Sequence, residues 1–206
     1  MKLYGTTTSP YARRVRIVAT ELGVPFEFIS TSKPEGEAEL RRHTPLWKVP
    51  TAIFNENGTE RTLWDSHTIL DYLTAKHGWG PFRPATVGDP WHERNLVQAI
   101  EGAMDSAIFI FQMERDGIKP GSTAYLTKQG ERLASALQWV ESQLRGNNAF
   151  FFEDGRLGMA ELLLVTTLDW LVFRNRYPVA NHPRLVEFQR THAERPSVKQ
   201  TYPFVS

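Results

Sequence analysis

Two places in the first third of the chain put a hydroxyl or a carboxylate where a helix is about to begin. Thr7-Thr8-Ser9 leads into Pro10, and serine directly before proline is the pattern of an N-cap followed by the first helical residue. The free backbone N–H groups of such a start favour an anion, and a neighbouring hydroxyl can hydrogen-bond to it. A thiolate is one such anion; capping the helix is the plainer use of the same hydroxyl. Asp65-Ser66 opens a second apolar-periodic run. There Asp65 can meet an ammonium group while Ser66 and the following N–H groups receive a carboxylate, and both residues are also preferred caps. Lys33 precedes Pro34, and Val49-Pro50 precedes a strand-like stretch. Taken singly, a lone lysine is ordinarily solvated and such a proline ordinarily only starts a strand.

The elements that must hold these residues follow from periodicity. Residues 2–5 and 26–30 read as short strands around an amphipathic segment, 10–22, in which Tyr11, Val15, Val18 and Leu22 recur at helical spacing. Gly23 ends it as a carboxy-terminal cap would. After a charged stretch, 35–42, residues 51–54 and 59–64 flank Asn55-Glu56-Asn57-Gly58, a hairpin signal because Asn-Gly tolerates the positive φ of a tight turn. The Asn57-Gly58-Thr59 sequon is read as that turn rather than as a glycan site. A helix then runs from 66 to about 78, with Ile69, Leu70, Tyr72 and Leu73 as its apolar face. Helix breakers concentrate between Gly78 and Pro90, which places a linker at 80–90 between a first domain, 1–79, and a second, 91–206. The second domain reads as helical throughout, in segments 91–116, 122–144 and 158–174 and shorter pieces from Pro183 and Pro196. Residues 162–173 are apolar on nearly all sides, as a central bundle helix would be. Its start, Gly158-Met159-Ala160-Glu161, has a glycine cap without a side-chain oxygen, so that helix end is expected to be weaker by roughly a few tenths of a kcal/mol.

Composition removes several function classes. A chain of 206 residues, 41% apolar, buries a sizeable core. Lys and Arg number 24 against 23 Asp and Glu, for a net charge of +1, so no global field selects nucleic acid or anionic lipid. The absence of cysteine excludes a disulfide framework, a zinc–thiolate site, an iron–sulfur cluster and redox chemistry on a protein thiol. Sulfur chemistry, if any, must arrive with a ligand. The 6 histidines contain no i,i+4 pair, and neither a phosphate loop nor a dinucleotide fingerprint is present. The amino terminus lacks a signal-peptide pattern and no apolar run has spanning length. A cytoplasmic protein with no nucleic-acid or membrane partner is the expectation.

Thr8-Ser9-Pro10-Tyr11-Ala12-Arg13, Pro45-Leu46-Trp47-Lys48-Val49-Pro50 and Trp64-Asp65-Ser66-His67-Thr68-Ile69 stand in this order ahead of a helical second half. In that arrangement the chain resembles the cytosolic glutathione S-transferase family over essentially its whole length, and within it a bacterial-type member with serine at the thiol-activating position. The resemblance implies an α/β thioredoxin-like amino-terminal domain, an all-α carboxy-terminal bundle, glutathione as co-substrate, no metal, and a homodimer. Ser9-Pro10-Tyr11-Ala12 is similar to the Cys-Pro-Tyr-Cys of the related glutaredoxins with both sulfurs removed, which leaves Ser9 to stabilise a bound thiolate. A charge-assisted hydrogen bond of roughly 1.5–3 kcal/mol and a helix terminus of about 0.3–1 kcal/mol would lower a thiol pKa by roughly 1–3 units. Thr7 and Thr8 offer alternative hydroxyls.

The resemblance further assigns Val49 and a cis Pro50 to pairing with the cysteinyl backbone of glutathione, Asp65 and Ser66 to its γ-glutamyl end, and Lys33 to its glycyl carboxylate. The family usually has Asn-Pro-x-Gly-x-Val-Pro before this strand, whereas this chain has Trp47 in place of the glycine. Candidate walls of a second-substrate pocket are Tyr11, Met104, Ile108, Phe111, Trp170 and Phe204, of which at most half are expected to line it. The expected reaction is attack of the activated thiol on a small electrophile, by conjugation or dehalogenation, as in detoxification. The rival expectation is a non-catalytic binding or scaffold module of the same fold.

Overall fold

Short apolar strands alternating with amphipathic helices build the first part of the chain in the computed structural model, which describes residues 1–146 and 149–205. The order is β1 (Lys2–Gly5), α1 (Pro10–Glu21), β2 (Glu27–Ser30), α2 (Pro34–His43), β3 (Thr51–Glu56), β4 (Thr59–Trp64) and α3 (Ser66–His77). The four strands form one sheet in the order β2-β1-β3-β4. β1 runs parallel to β2 and antiparallel to β3, and β3 antiparallel to β4. The hairpin turn is confined to Asn57 and Gly58, at φ 53° and 81°, the left-handed pair that a two-residue turn demands.

The charged stretch at 35–42 is a helix, α2. Only Gly36 and Leu40 of it are buried, too few apolar positions to show a period. Leu40 packs with Tyr4 and Ile53, beside Ile29 and Val49. Gly36 lets the helix approach the sheet, since a Cβ there would stand 2.1 Å from the Ser30 carbonyl oxygen. The Tyr4 hydroxyl donates to Glu39 Oε1 at 2.6 Å, and burial together with that carboxylate raises the phenol pKa.

The remaining helices are α4 (Pro90–Arg115), α5 (Ala124–Gln143), α6 (Met159–Phe173), α7 (Pro183–Ala193) and α8 (Pro196–Gln200), with a 3₁₀ turn at Val179–Asn181. By contact the chain divides into two units, one of Met1–Pro81 joined by the residues from Glu194 onward, the other Phe82–Ala193. The sequence-based partition differs from this at both ends of the second domain. The proposed linker 80–90 is not a loose connector, because Phe82 and Arg83 are buried within the second unit. At the other end, Arg13 donates to the Val198 carbonyl and Thr201 Oγ1, and Arg195 forks onto Glu21 at 2.6 and 2.9 Å. These contacts hold α8 and the terminal residues on the first unit.

In the second unit α6 is buried from Ala160 through Leu171, the central helix the apolar run predicts. Its start is not the weak cap that a glycine suggests. Glu161 Oε2 accepts from the Gly158 N–H at 2.8 Å, and Glu93 Oε1 on α4 accepts from the Met159 N–H at 3.1 Å, so a carboxylate from another helix supplies the oxygen that glycine lacks. Arg83 holds Glu93 in place with bonds of 2.6 and 2.8 Å.

Candidate functional site

The sheet register brings the singled-out residues of the first unit to one end of the sheet. Gly5, last in β1, pairs with Ser30, last in β2. Thr51, first in β3, pairs with Tyr4 on one side and with Trp64, last in β4, on the other. The chain therefore leaves β1 toward Ser9, leaves β2 toward Lys33, enters β3 from Val49-Pro50 and leaves β4 toward Asp65-Ser66, all at the same edge. Three helix N-termini, those of α1, α2 and α3, open there. Such ends attract anions through their free N–H groups, and this edge suits a ligand with several negative groups.

At α1, Ser9 is the N-cap and Pro10 the first helical residue. Ser9 Oγ accepts from the Ala12 N–H at 3.2 Å, so its own hydrogen remains available for donation. Thr7 differs. Its hydroxyl donates to the Phe204 carbonyl at 2.6 Å, which spends its single hydrogen within the protein. Thr8 Oγ1 lies 3.3 Å from Thr6 Oγ1. Ser9 is half-exposed and engaged as an acceptor, Thr8 is half-exposed with a bond to Thr6 in which either hydroxyl can donate, and Thr7 is buried with its hydrogen spent.

At α3, Asp65 caps with its side chain accepting from the His67 N–H at 2.8 Å. Its φ is 75°, a region that costs a non-glycine residue of order 1–3 kcal/mol and that recurs at ligand sites. Ser66 is buried, 2% exposed, and among the described residues its hydroxyl has no partner. The Val49–Pro50 peptide is cis. Lys33 is an exposed N-cap without a side-chain cap bond. Trp47 adopts φ 51°, the left-handed conformation a glycine would take there, with its exposed ring 4.4 Å from the Arg41 guanidinium.

The candidate second-substrate residues fall in both units. In the first, Tyr11 is half-buried with Arg14 over its ring at 4.9 Å, and Phe204 is half-exposed while its carbonyl holds Thr7. In the second, Met104 is fully buried core, Ile108 is half-buried, and Phe111 meets the buried Trp170 edge-on at 5.5 Å. The tie between Thr7 and Phe204 has no sequence signal, because it joins positions 197 residues apart through a backbone oxygen.

Comparison with known proteins agrees with this architecture. A family model described as "Glutathione S-transferase, N-terminal domain" matches residues 3–84 and one described as "Glutathione S-transferase, C-terminal domain" matches residues 89–190. The chain belongs to the glutathione S-transferase family. It is 30% identical to glutathione S-transferase 4 of Zea mays, over 100% of this chain and 93% of that protein. It is 24% identical to the uncharacterized GST-like protein YibF of Escherichia coli over 98% of each chain. Among solved structures, a glutathione S-transferase of Methylobacterium radiotolerans in complex with glutathione sulfonate superposes with a TM-score of 0.81 at 26% identity, covering 100% of this chain and 95% of that one.

Proposed function

We propose that the chain is a glutathione transferase in which Ser9 donates its hydroxyl hydrogen to the thiolate of bound glutathione, which then attacks a small electrophile in a conjugation or dehalogenation. The observation that carries this reading is the hydrogen-bond accounting at the start of α1: Ser9 caps as an acceptor and keeps its hydrogen, while Thr7 has spent its own on Phe204. The rest of the edge fits the tripeptide. Asp65 meets the γ-glutamyl ammonium, Ser66 and the α3 N-terminus meet its carboxylate, Val49-Pro50 pairs with the cysteinyl backbone, and Lys33 meets the glycyl carboxylate. Glutathione sulfonate bound to a solved relative at 26% identity supports the ligand. A homodimer in the cytoplasm is the setting that the family resemblance brings with it.

Calorimetric titration with reduced glutathione at neutral pH, repeated in buffers of different ionisation enthalpy, counts the protons released on binding. The wild type is expected to release protons and Ser9→Ala to bind with less release. Losing one charge-assisted bond of about 1.5–3 kcal/mol should slow turnover of 1-chloro-2,4-dinitrobenzene by about 10–150-fold. Ser9→Thr, which keeps a hydroxyl, should recover part of both. Proton release unchanged in Ser9→Ala would transfer the role to another group, and no binding of glutathione by the folded protein would end the reading.

A further inference from the structure

The second unit concentrates positive charge on a single aromatic ring. The guanidinium carbons of Arg176, Arg174 and Arg115 lie 4.9, 5.1 and 5.9 Å from the centre of the Phe111 ring, and Trp170 meets the same ring edge-on at 5.5 Å. A phenyl face attracts a cation, but three cations sharing it repel one another. Arg176 has a counter-charge, pairing with Glu114. Among the described residues neither Arg115 nor Arg174 has a carboxylate partner, and Asp116, which caps α4 beside them, pairs with neither.

Helix ends account for part of this arrangement. Arg115 lies in the last turn of α4 and Arg174 caps α6, where free carbonyl groups favour cations. They do not account for Arg176, beyond the end of α6, turning onto the same ring. Nor do they explain why Nε of Arg174 and Nε of Arg176 are shut off from solvent with no acceptor, a state that buried donors ordinarily avoid. Loss of water around Arg174, and then the nearby Arg115, lower its pKa, so its guanidinium sits beside a like charge with no carboxylate among the described residues to offset it. Arg115 is exposed, and Phe111 and Arg174 are half-buried, which leaves the group open to a small ligand.

We propose that Phe111, Arg115 and Arg174 form a binding subsite for a planar organic acid, with its carboxylate between the two unpaired guanidinium groups and its apolar body against the ring. The test needs no glutathione, so the transferase reading can fail without touching it. Benzoate and 4-nitrobenzoate are titrated calorimetrically into the full chain at pH 7 and low salt, with benzamide as the neutral isostere. The acids are expected to bind, and benzamide to bind at least tenfold more weakly. Arg115→Gln, at an exposed helix end where folding is not at stake, and Arg174→Gln should each weaken the acids at least fivefold and leave benzamide unchanged. Arg94→Gln, which removes a guanidinium stacked 5.1 Å over the exposed Trp91, should change neither. Equal affinity for acid and amide, no acid binding by the folded protein, binding of inorganic phosphate without benzoate, or an equal loss in Arg94→Gln would each overturn the proposal.

Discussion

Gly158→Ala is expected to destabilise the protein by about 2–4 kcal/mol, although alanine is the better helix former. The backbone does not object, because φ at Gly158 is −99°, which any residue adopts. The obstacle is space. A Cβ would stand 2.1 Å from Arg83 Nη2, 2.7 Å from Arg83 Cζ and 2.7 Å from Glu93 Oε1, so the guanidinium must retreat by roughly 1 Å to reach ordinary contact distance. Arg83 has nowhere to go. It is fully buried, bonded twice to Glu93 and once to the Val87 carbonyl, and stacked 3.9 Å from the centre of the Phe152 ring. Each charge-assisted bond contributes about 1.5–3 kcal/mol, and removing one partner of a buried pair costs about 3–5 kcal/mol. A forced shift falls below full removal but above the loss of one bond. No gain offsets it, since alanine is a poorer N-cap than glycine. Even Gly158→Ser, which provides the cap oxygen, meets the same wall. Urea unfolding followed by far-UV circular dichroism measures the change, with Gly130→Ala as reference. Gly130 sits in α5 with nothing within 4 Å of its would-be Cβ, so that variant should stabilise by about 0.5–1 kcal/mol. If Gly158→Ala unfolds within about 0.5 kcal/mol of wild type, the steric argument is wrong.

Three further outcomes follow from single contacts. Thr7→Val removes the bond to Phe204 and should speed amide hydrogen exchange around that residue while leaving glutathione-linked proton release intact; a fall in release to the Ser9→Ala level would mean that Thr7 faces the sulfur. Ser66→Ala should weaken glutathione binding by about tenfold, as for a lost charge-assisted bond, with little change in melting temperature because its hydroxyl has no internal partner; a drop of more than about 5 °C would point to a structural role instead. Burial opposes the charge of Glu21, but Arg195 and Ser197 outweigh it and hold its pKa below the ordinary value. A carboxyl depressed in this way stabilises the fold above its unfolded pKa and loses that contribution as pH falls through the folded one. Glu21→Gln should therefore flatten the acid limb of a melting-temperature profile below the ordinary carboxyl range, and an unchanged limb would show that the clamp on α8 contributes nothing.

What was legible in the sequence depended on how local each signal was. Ser9-Pro10, Asp65-Ser66 and Asn57-Gly58 announce helix starts and a turn through two adjacent residues, because capping and positive φ are settled within one turn of chain. α6 was legible because burial on every side leaves an unbroken apolar run. α2 was not, since a helix that buries only Gly36 and Leu40 carries no period to read. Gly158 looked like a weak cap when considered beside its neighbours in sequence. Its meaning lies in Arg83 and Glu93, which pack side chains into the space the missing Cβ leaves and hand the helix a carboxylate oxygen from 66 residues away.

The same limit separates the two proposed sites. The proposed glutathione edge is assembled from strand ends and helix starts, so residues that cap helices are also the ones proposed to face the ligand, and a reading of caps picks out the same residues. The arginine cluster has no such link. Arg115 ends one helix, Arg174 caps another and Arg176 lies beyond it, and each taken alone is an ordinary basic residue near a helix end. They become a site only because α4 and α6 bring their carboxy-terminal ends to the same Phe111 ring, and among the described residues only Arg176 of the three finds a carboxylate there. A ligand-binding role that depends on unmatched charge is invisible until the fold shows which charges have been left unmatched.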